Sequence, residues 1–344
     1  VMHVLVTGGG GFVGGALAHA LLARGDSVRI LARGDYPALR DAGVETVRGD
    51  LNDASAVAAA CADVDAVFHV AAKVGYHGPP AEYERTNVDG TENVLAGCRA
   101  QGVPRLILTS TPSVIHRRMG CEGVDEGLPY PDQHVADYPR TKAEAERRVM
   151  AAHGVALHTV ALRPRGVWGP GDTNLFPMLV RWSRAGQLRR IGPDDPLQHF
   201  SYIDDVVHAH LLAEARLREA PEVVGGKTYF IASGDPIGAF TMIDRVLACA
   251  DLPGPTRRVP LAAASAAAVA IEALWRWFGV ASEPRLTRYK LDVLTRPCWF
   301  DLGAAERDLG YRSKVTLDEG LDRLRAWAQS GALGALDQAE GLRP

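Results

Sequence analysis

The sequence is poor in the features that mark secreted, metal-binding and nucleic-acid-binding proteins. Five cysteines among 344 residues are an odd number without CxxC or Cys/His ligand spacing, so we expect neither a disulfide framework nor a metal site. The formal net charge is -3 and the arginines are scattered, which gives no electrostatic reason to expect a nucleic-acid partner. The first apolar run has no basic segment before it, so the sequence indicates a cytoplasmic protein.

Long apolar runs are scarce as well. The longest covers residues 261–271, and Glu272 and Arg276 interrupt it too early for a membrane-spanning helix of about 20 residues. We expect a buried helix here. The alternative is a helix that lines an apolar substrate site or touches a membrane surface, which would give the protein a peripheral contact with a membrane or with another enzyme of its pathway.

The informative part of the chain begins near its amino end. Residues 4–6 have the pattern of a buried strand, four glycines follow, and residues 16–22 continue as an apolar helix. Glycines let a backbone approach a ligand closely, and a helix N-terminus attracts a pyrophosphate. A glycine-rich surface turn is the alternative, but a second strand at 28–32 favours a dinucleotide site. The residues expected at the cofactor are Gly8, Gly10, Gly11, Phe12, Val13 and Gly14.

The end of the second strand bears on the choice of dinucleotide. An acid at this position would bind the ribose 2′-hydroxyl and select NAD. Ala32 occupies the position and Arg33 follows, and a cation suits a 2′-phosphate. The sequence therefore favours NADPH over NAD, with a solvated arginine as the alternative.

Strands alternate with helices through the first half of the chain, which predicts an α/β fold with a doubly wound parallel sheet. Two strand ends offer further cofactor contacts. Asp50 is placed to bind the adenine amino group with Leu51 against the ring, and the small Ala71 and Ala72 leave room for the cofactor.

Hydroxyl side chains follow the fifth predicted strand at Ser110, Thr111 and Ser113, at the strand end where ligands bind in such sheets. Among nine tyrosines, only Tyr138 is followed four residues later by a lysine, Lys142. On a helix these two side chains share a face, and an ammonium group favours the ionised form of a nearby phenol. Together with a hydroxyl across the cleft they predict a proton-transfer site, whereas a surface tyrosine and a solvated lysine are the alternative.

The order of these motifs resembles the extended short-chain dehydrogenase/reductases over nearly the full chain. The glycine turn, Asp50-Leu51, Tyr138/Lys142, the run 163–172 and Tyr202-x-x-Asp205 follow one another as in that superfamily. Within it, the chain is similar to the 3β-hydroxysteroid dehydrogenase-like branch. Segments 33–37, 110–114 and 168–172 look closest to the bacterial 2-alkyl-3-oxoalkanoate reductases of long-chain olefin biosynthesis, with sterol-4-carboxylate 3-dehydrogenases as near relatives.

The resemblance implies an NADPH-dependent, reversible reduction of the 3-oxo group of long-chain 2-alkyl-3-oxo acids. In this mechanism the cofactor supplies a hydride, Tyr138 protonates the carbonyl oxygen, Thr111 holds that oxygen, and Lys142 binds the nicotinamide ribose. The usual hydroxyl of the family is serine, so Thr111 is a departure, with Ser110 and Ser113 as neighbouring support. An NAD(P)-dependent 3β-hydroxysteroid or sterol-4-carboxylate dehydrogenase is one alternative, and a non-catalytic dinucleotide sensor is another.

The resemblance also implies a Rossmann-type dinucleotide-binding domain over 1–168 and a smaller C-terminal α+β substrate-binding domain over most of 169–344. Segments about 200–215 and 227–232 are expected to return to the first domain. Asn87 would support the active site, and Pro164 and Val167 would contact the cofactor. The candidate substrate residues, for which core packing is the alternative, are Lys73, Trp168, Phe176, Met178 and Tyr202.

Two further expectations concern the substrate and the assembly. Sugar-nucleotide enzymes of this fold carry Arg-Asp where Gln198 and His199 stand, and dehydratases carry an acid where Pro112 stands, so a hydrophobic small molecule is expected instead. Extended reductases often dimerise through two helices per subunit. Here those helices would be about 86–100 and 139–153, which predicts a homodimer.

Overall fold

The computed structural model describes residues 1–75, 78–280 and 284–332. Its fifteen strands are β1 His3–Thr7, β2 Ser27–Ala32, β3 Glu45–Arg48, β4 Ala66–His69, β5 Arg105–Thr109, β6 Cys121–Val124, β7 His158–Pro164, β8 Val167–Trp168, β9 Arg190–Ile191, β10 Leu197–Gln198, β11 Ser201–Tyr202, β12 Lys227–Ile231, β13 Ile237–Gly238, β14 Arg258–Val259 and β15 Cys298–Phe300.

The helices alternate with these strands along most of the chain. They are α1 Phe12–Ala23, α2 Pro37–Asp41, α3 Ala54–Ala60, α4 Pro80–Tyr83, α5 Gly90–Gln101, α6 Asp137–Ala151, α7 Leu175–Arg184, α8 Ile203–Glu219, α9 Pro221–Val224, α10 Ala239–Ala248, α11 Leu261–Phe278, α12 Arg288–Thr295 and α13 Leu317–Trp327. A π-helical stretch, Glu84–Asp89, joins α4 to α5 without a break.

Seven strands form one parallel sheet in the order β12-β7-β5-β4-β1-β2-β3. The apolar residues of β1 alternate between its two faces. Val4 and Val6 pack into one core with Leu17 of α1, whereas Leu5 packs into a second core with Val94 of α5. Cores on both faces confirm the predicted doubly wound, Rossmann-type sheet.

The smaller part of the structure is built around a second, mixed sheet in the order β13-β10-β15-β6. In it β10 runs antiparallel to β13 and parallel to β15. Three of its strands come from the C-terminal half that was expected to be α+β, whereas β6 comes from the segment expected in the first domain. Strand β12 lies at the edge of the large sheet and α8 packs beside α1, while the division of the chain at 168 and 169 stays a prediction.

The expectation that the long apolar helix is buried is wrong. Only Ala264 and Ala268 of α11 are buried, and Trp277 and Phe278 at its end are 86% and 71% exposed. By length and composition, α11 is the one helix in the described residues that could cross a membrane. Composition favoured burial here because alanine and larger apolar residues are often buried, but composition does not show whether the fold supplies an element that covers the helix. Contact with a membrane or another enzyme stays a prediction.

The structure describes all five cysteines and most of the residues that could bind a metal ion. All five cysteines are unpaired in the structure and buried. Within the described ranges, no group of three or more His, Cys, Asp or Glu side chains is arranged to hold a metal ion.

Candidate active site

The glycine turn joins β1 to α1 and packs directly against the end of β4. Gly8 has a φ of +69°, and a Cβ atom there would lie 2.8 Å from Ala71 Cα. The Gly11 amide donates to the Gly8 carbonyl at 2.9 Å and closes the turn. No side chain caps α1 at Gly11, and its first turn has no acidic residue. The helix N-terminus is therefore left for an anion, as a dinucleotide pyrophosphate requires.

Arginines from two strands meet beside the glycine turn. Arg33 follows β2, and Arg48 at the end of β3 donates from Nε to the Arg33 carbonyl at 3.2 Å. Asp35 is hydrogen-bonded to Arg40, and this bond lowers the pKa of the Asp35 carboxyl. The Asp35 carboxylate is thus already engaged, whereas neither Arg33 nor Arg48 forms an ion pair within the described residues.

Tyr36 was not singled out in the sequence, although it lies on the glycine turn. A Cβ atom on Gly10 would overlap the Tyr36 ring, and one on Gly34 would come within 2.9 Å of its hydroxyl oxygen. The ring therefore covers the turn on the side of Arg33. Its proximity to Gly10 spans 26 positions of sequence, which local patterns do not reveal.

The other predicted cofactor residues lie at the carboxyl ends of the large sheet. Asp50 Oδ1 accepts from the Asn52 amide at 2.9 Å, and Leu51 is buried in one of the sheet's two cores. Ala71 and Ala72 follow β4, Pro164 ends β7, and Val167 begins β8. Their contacts with a cofactor stay predictions.

Three hydroxyl groups cluster after β5. Thr111 has an extended backbone, and its Oγ1 accepts from the Ser113 amide and donates to Ser113 Oγ, both at 3.2 Å. Ser110 Oγ is buried and has no hydrogen-bond partner in the described parts of the chain. Thr111 thereby begins the short 3-10 helix Pro112–Ile115 and is itself nearly buried.

Lys142 connects α6 to this strand end. The side chain is 4% exposed, and Nζ donates to the Thr109 carbonyl at 2.8 Å. Burial lowers the pKa of Lys142 to about 8, and the nearby Glu146 opposes the shift. Tyr138 lies one helical turn earlier on the same face of α6. The structure therefore brings the Tyr138/Lys142 face to the strand that carries Thr111.

Asn87 lies in the π-helical stretch and connects two parts of the site. Its Oδ1 accepts from the Lys73 amide at 2.7 Å, and its Nδ2 donates to the Lys73 carbonyl at 3.1 Å and to Thr141 Oγ1 at 3.0 Å. Thr141 in turn donates to the Asp137 and Tyr138 carbonyls. Asn87 thus ties the segment after β4 to the first turn of α6. Such π-helical insertions are frequent at functional sites.

A buried chain of hydrogen bonds near the glycine turn was not predicted from the sequence. Thr91 donates its only hydroxyl proton to the Asn87 carbonyl, so its oxygen accepts from His69 Nε2 at 2.9 Å. His69 Nδ1 then accepts from the Thr7 hydroxyl at 2.8 Å. Burial, followed by the charge of Lys142, lowers the pKa of His69 to about 3. A neutral histidine therefore links β1, β4 and α5.

The candidate substrate residues separate into two groups. Trp168 and Tyr202 are buried in the larger core with their rings 5.0 Å apart, and Phe176 is buried with them. Packing accounts for these three. Met178 is partly exposed, and Lys73 Nζ is paired with a glutamate, Glu82, at 2.7 Å. Contact of any of the five with substrate stays a prediction.

A phosphate-binding turn, a Tyr/Lys face on α6 and a hydroxyl cluster on one parallel sheet define the class of nicotinamide-dependent short-chain oxidoreductases. The sequence pattern of the 3-beta hydroxysteroid dehydrogenase/isomerase family matches residues 5–257. The chain belongs to this family, in the extended branch of the superfamily, and is an NAD(P)-binding oxidoreductase.

Individual relatives support the same assignment. The chain is 44% identical to the 2-alkyl-3-oxoalkanoate reductase of Stenotrophomonas maltophilia, over 94% of this chain and 99% of the relative. It is 35% identical to the 3 beta-hydroxysteroid dehydrogenase/Delta 5-->4-isomerase of Mycobacterium tuberculosis, over 93% and 88% of the two chains. Among solved structures, gox2253 matches with a TM-score of 0.77 at 26% identity, covering 97% of this chain and 99% of the other. The structure of MoeE5 in complex with UDP-glucose and NAD matches with a TM-score of 0.74 at 26% identity, over 96% and 99%.

Proposed function

We propose that this enzyme reduces the 3-oxo group of long-chain 2-alkyl-3-oxo acids, reversibly and with NADPH. The observation that carries the proposal is the bond from Lys142 Nζ to the Thr109 carbonyl, because it sets the Tyr138/Lys142 face against the strand end that bears Thr111. The 2-alkyl-3-oxoalkanoate reductase at 44% identity supports the choice of substrate.

In this proposal the protein's own residues bind the carbonyl oxygen and donate a proton to it. When bound, the nicotinamide supplies the hydride. Tyr138 donates a proton to the oxygen that becomes the hydroxyl, and the Thr111 hydroxyl holds that oxygen by a hydrogen bond. Lys142 is buried and would favour the phenolate that Tyr138 leaves behind. Asn87 keeps the first turn of α6 in place through Thr141.

The preference for NADPH is supported by the charges around the end of β2. Ala32 provides no carboxylate for a ribose diol, while Arg33 and Arg48 lie together and Asp35 is engaged by Arg40. A charge-assisted hydrogen bond contributes about 1.5–3 kcal/mol, or roughly one to two decades of affinity. We expect Arg33→Ala to weaken NADPH by that amount and to leave NADH almost unchanged. Equal kcat/KM for the two cofactors in both proteins would refute the preference.

A second candidate function is oxidation of a 3β-hydroxysteroid or a sterol-4-carboxylate. It is favoured by the 35% identity to the mycobacterial 3 beta-hydroxysteroid dehydrogenase. Turnover of a long-chain 2-alkyl-3-hydroxy acid, of a 3β-hydroxysteroid and of a 4-carboxysterol, each with NADP⁺ and NAD⁺, tests the two candidates. We expect the acyl substrate with NADP⁺ to have the highest kcat/KM. A kcat/KM that is higher for either sterol than for the acyl substrate would support the second function instead of the first.

A further inference from the structure

Arg165 is a partly buried cation for which the described residues provide no carboxylate partner. It follows the end of β7, and its Nη2 donates to Gln198 Oε1 at 2.9 Å and to the Val293 carbonyl at 3.5 Å. Its Nε is buried without a hydrogen-bond partner in the part of the chain that the structure describes. Arg163, two residues earlier, is instead paired with Glu146 at 2.6 Å. Arg165 therefore retains an unused donor and forms no ion pair within the described residues.

Two of the side chains that face Arg165, His116 and His199, are neutral at physiological pH, while the bond with Cys121 and then the charge of Arg165 lower the pKa of the buried Cys298 thiol. Burial first, and the charge of Arg165 second, lower the pKa of His116 and of His199 to about 4. His199 Nδ1 accepts from the Phe300 amide, whereas His116 Nε2 is buried with no partner within the described ranges. The unpaired buried Nε donor of Arg165 and the unpaired imidazole nitrogen of His116 are both costly, and an anionic ligand would satisfy both.

Arg165 and His116 follow the carboxyl ends of β7 and β5, the same edge of the large sheet from which Thr111 extends. Strands β5 and β7 are parallel neighbours, with Thr109 opposite Leu162. Thr111 is two residues beyond Thr109, and Arg165 is three residues beyond Leu162. His116 comes directly after the 3-10 helix that Thr111 begins. In a 3-oxo acid the carboxylate carbon is only two bonds from the carbonyl carbon, so its binding group must lie at this same rim.

We propose that Arg165 and His116 Nε2 bind the carboxylate of the substrate. This inference rests on the proposed function and specifies how the acid is recognised. A guanidinium can hold a carboxylate by two parallel hydrogen bonds, and a neutral imidazole with its proton on Nε2 adds a third. The contacts of Arg165 with Gln198 and Val293 position the guanidinium for this role.

The same site explains how an unstable β-keto acid survives until reduction. Decarboxylation proceeds readily when the carboxyl proton passes to the ketone oxygen as the C1–C2 bond breaks and carbon dioxide leaves. Burial in the site would favour the protonated acid, and an arginine beside the carboxylate keeps it ionised, so that no carboxyl proton is available for this step. Loss of Arg165 should therefore increase the fraction of 3-oxo acid that ends as ketone rather than as 3-hydroxy acid.

The test compares a long-chain 2-alkyl-3-hydroxy acid with its methyl ester, both oxidised with NADP⁺. For the wild type we expect higher kcat/KM with the acid. In Arg165→Met the ratio of kcat/KM for acid to that for ester should fall about 10- to 100-fold, as expected for the loss of hydrogen bonds to a charged group. His116→Phe should lower the ratio less. Arg29→Met, which removes an arginine on β2 paired with Glu45, is the matched control and should keep the wild-type ratio.

The outcomes separate this inference from the proposed function. An unchanged acid-to-ester ratio in Arg165→Met would overturn the carboxylate site while leaving the reductase assignment intact. If Arg165→Met does not fold, Arg165→Gln provides the same comparison. If the wild type oxidises neither substrate, the proposed function fails, and calorimetric binding of the acid to wild type and variant then decides the site. Equal affinities, or no binding to either protein, would overturn it.

Discussion

Replacing Asn87 by alanine tests whether the segment after β4 and the helix α6 must be held together for catalysis. The substitution removes the Oδ1 acceptor of the Lys73 amide and the Nδ2 group that donates to the Lys73 carbonyl and to Thr141 Oγ1. Asn87 is 2% exposed. The Lys73 amide and carbonyl both lose their partner. Thr141 still donates to carbonyls of its own helix. The damage should therefore concentrate at Lys73.

The magnitude follows from the two backbone groups left unpaired. Each unsatisfied buried group costs about 1–3 kcal/mol, and Lys73 is near enough to the surface for water to offset part of this. We expect Asn87→Ala to lower the free energy of unfolding by about 2–4 kcal/mol. We also expect kcat to fall roughly 10- to 100-fold, because small displacements of catalytic groups have effects of that size.

Urea unfolding and steady-state kinetics of Asn87→Ala should be measured beside Asn93→Ala. Asn93 lies on α5 and donates once, to the Leu51 carbonyl at 2.7 Å. Its loss should cost about 1 kcal/mol in stability and leave kcat within about three-fold of wild type. If the two variants matched in stability and in kcat, Asn87 would be an ordinary helix residue and the reasoning would be refuted.

Four further predictions address the chemistry, the hydroxyl, the pH dependence and the assembly. Tyr138→Phe should lower kcat by about 10²–10⁴ with little change in cofactor affinity measured by fluorescence titration, and activity within a few-fold of wild type would remove Tyr138 from the mechanism. Thr111→Val should be severe and Ser113→Ala mild in kcat, whereas the reverse order would reassign the catalytic hydroxyl. Burial lowers the pKa of His69 to about 3 and that of His210 to about 4, so the unfolded state, with a pKa near 6.5, binds more protons as the pH falls. Together these two should remove about 3 kcal/mol of stability between pH 7.5 and pH 5.5, His116 and His199 should add to the loss measured in urea titrations, and a stability that did not fall would contradict the burial of these histidines as neutral groups. Light scattering at micromolar concentration should give the mass of a homodimer joined through α5 and α6, and a monomer mass would contradict that arrangement.

Local sequence patterns were enough to predict the large sheet because most of its strands are recognisable short apolar runs. Strand β1, for example, is a short apolar run followed by glycines, and Gly8 and Gly11 mark the turn whatever the rest of the chain does. Tyr138 and Lys142 were found for a similar reason, since helical spacing alone places them on one face. The apolar helix α11 shows the limit of such reasoning, because composition does not state whether a neighbouring element exists to cover it.

His69 shows a second limit. In the sequence it is only the last residue of an apolar strand, and its partners Thr7 and Thr91 lie 62 and 22 positions away. The three side chains meet only because β1 and β4 are neighbours in the sheet and α5 passes behind them. A polar chain of this kind is a property of the packed structure, and no periodicity predicts it.

Arg165 shows a third limit, because the sequence does not reveal that the described residues provide it with no carboxylate partner. In the sequence it stands two residues from Arg163, and the two arginines look equivalent. The structure separates them because α6 supplies Glu146 to Arg163, whereas the described residues supply no carboxylate to Arg165. A buried arginine that the fold neutralises is part of the architecture. Arg165 follows the same sheet edge as Thr111, acts on His116 and has no carboxylate partner in the described residues, and this difference is why we assign the substrate carboxylate to it.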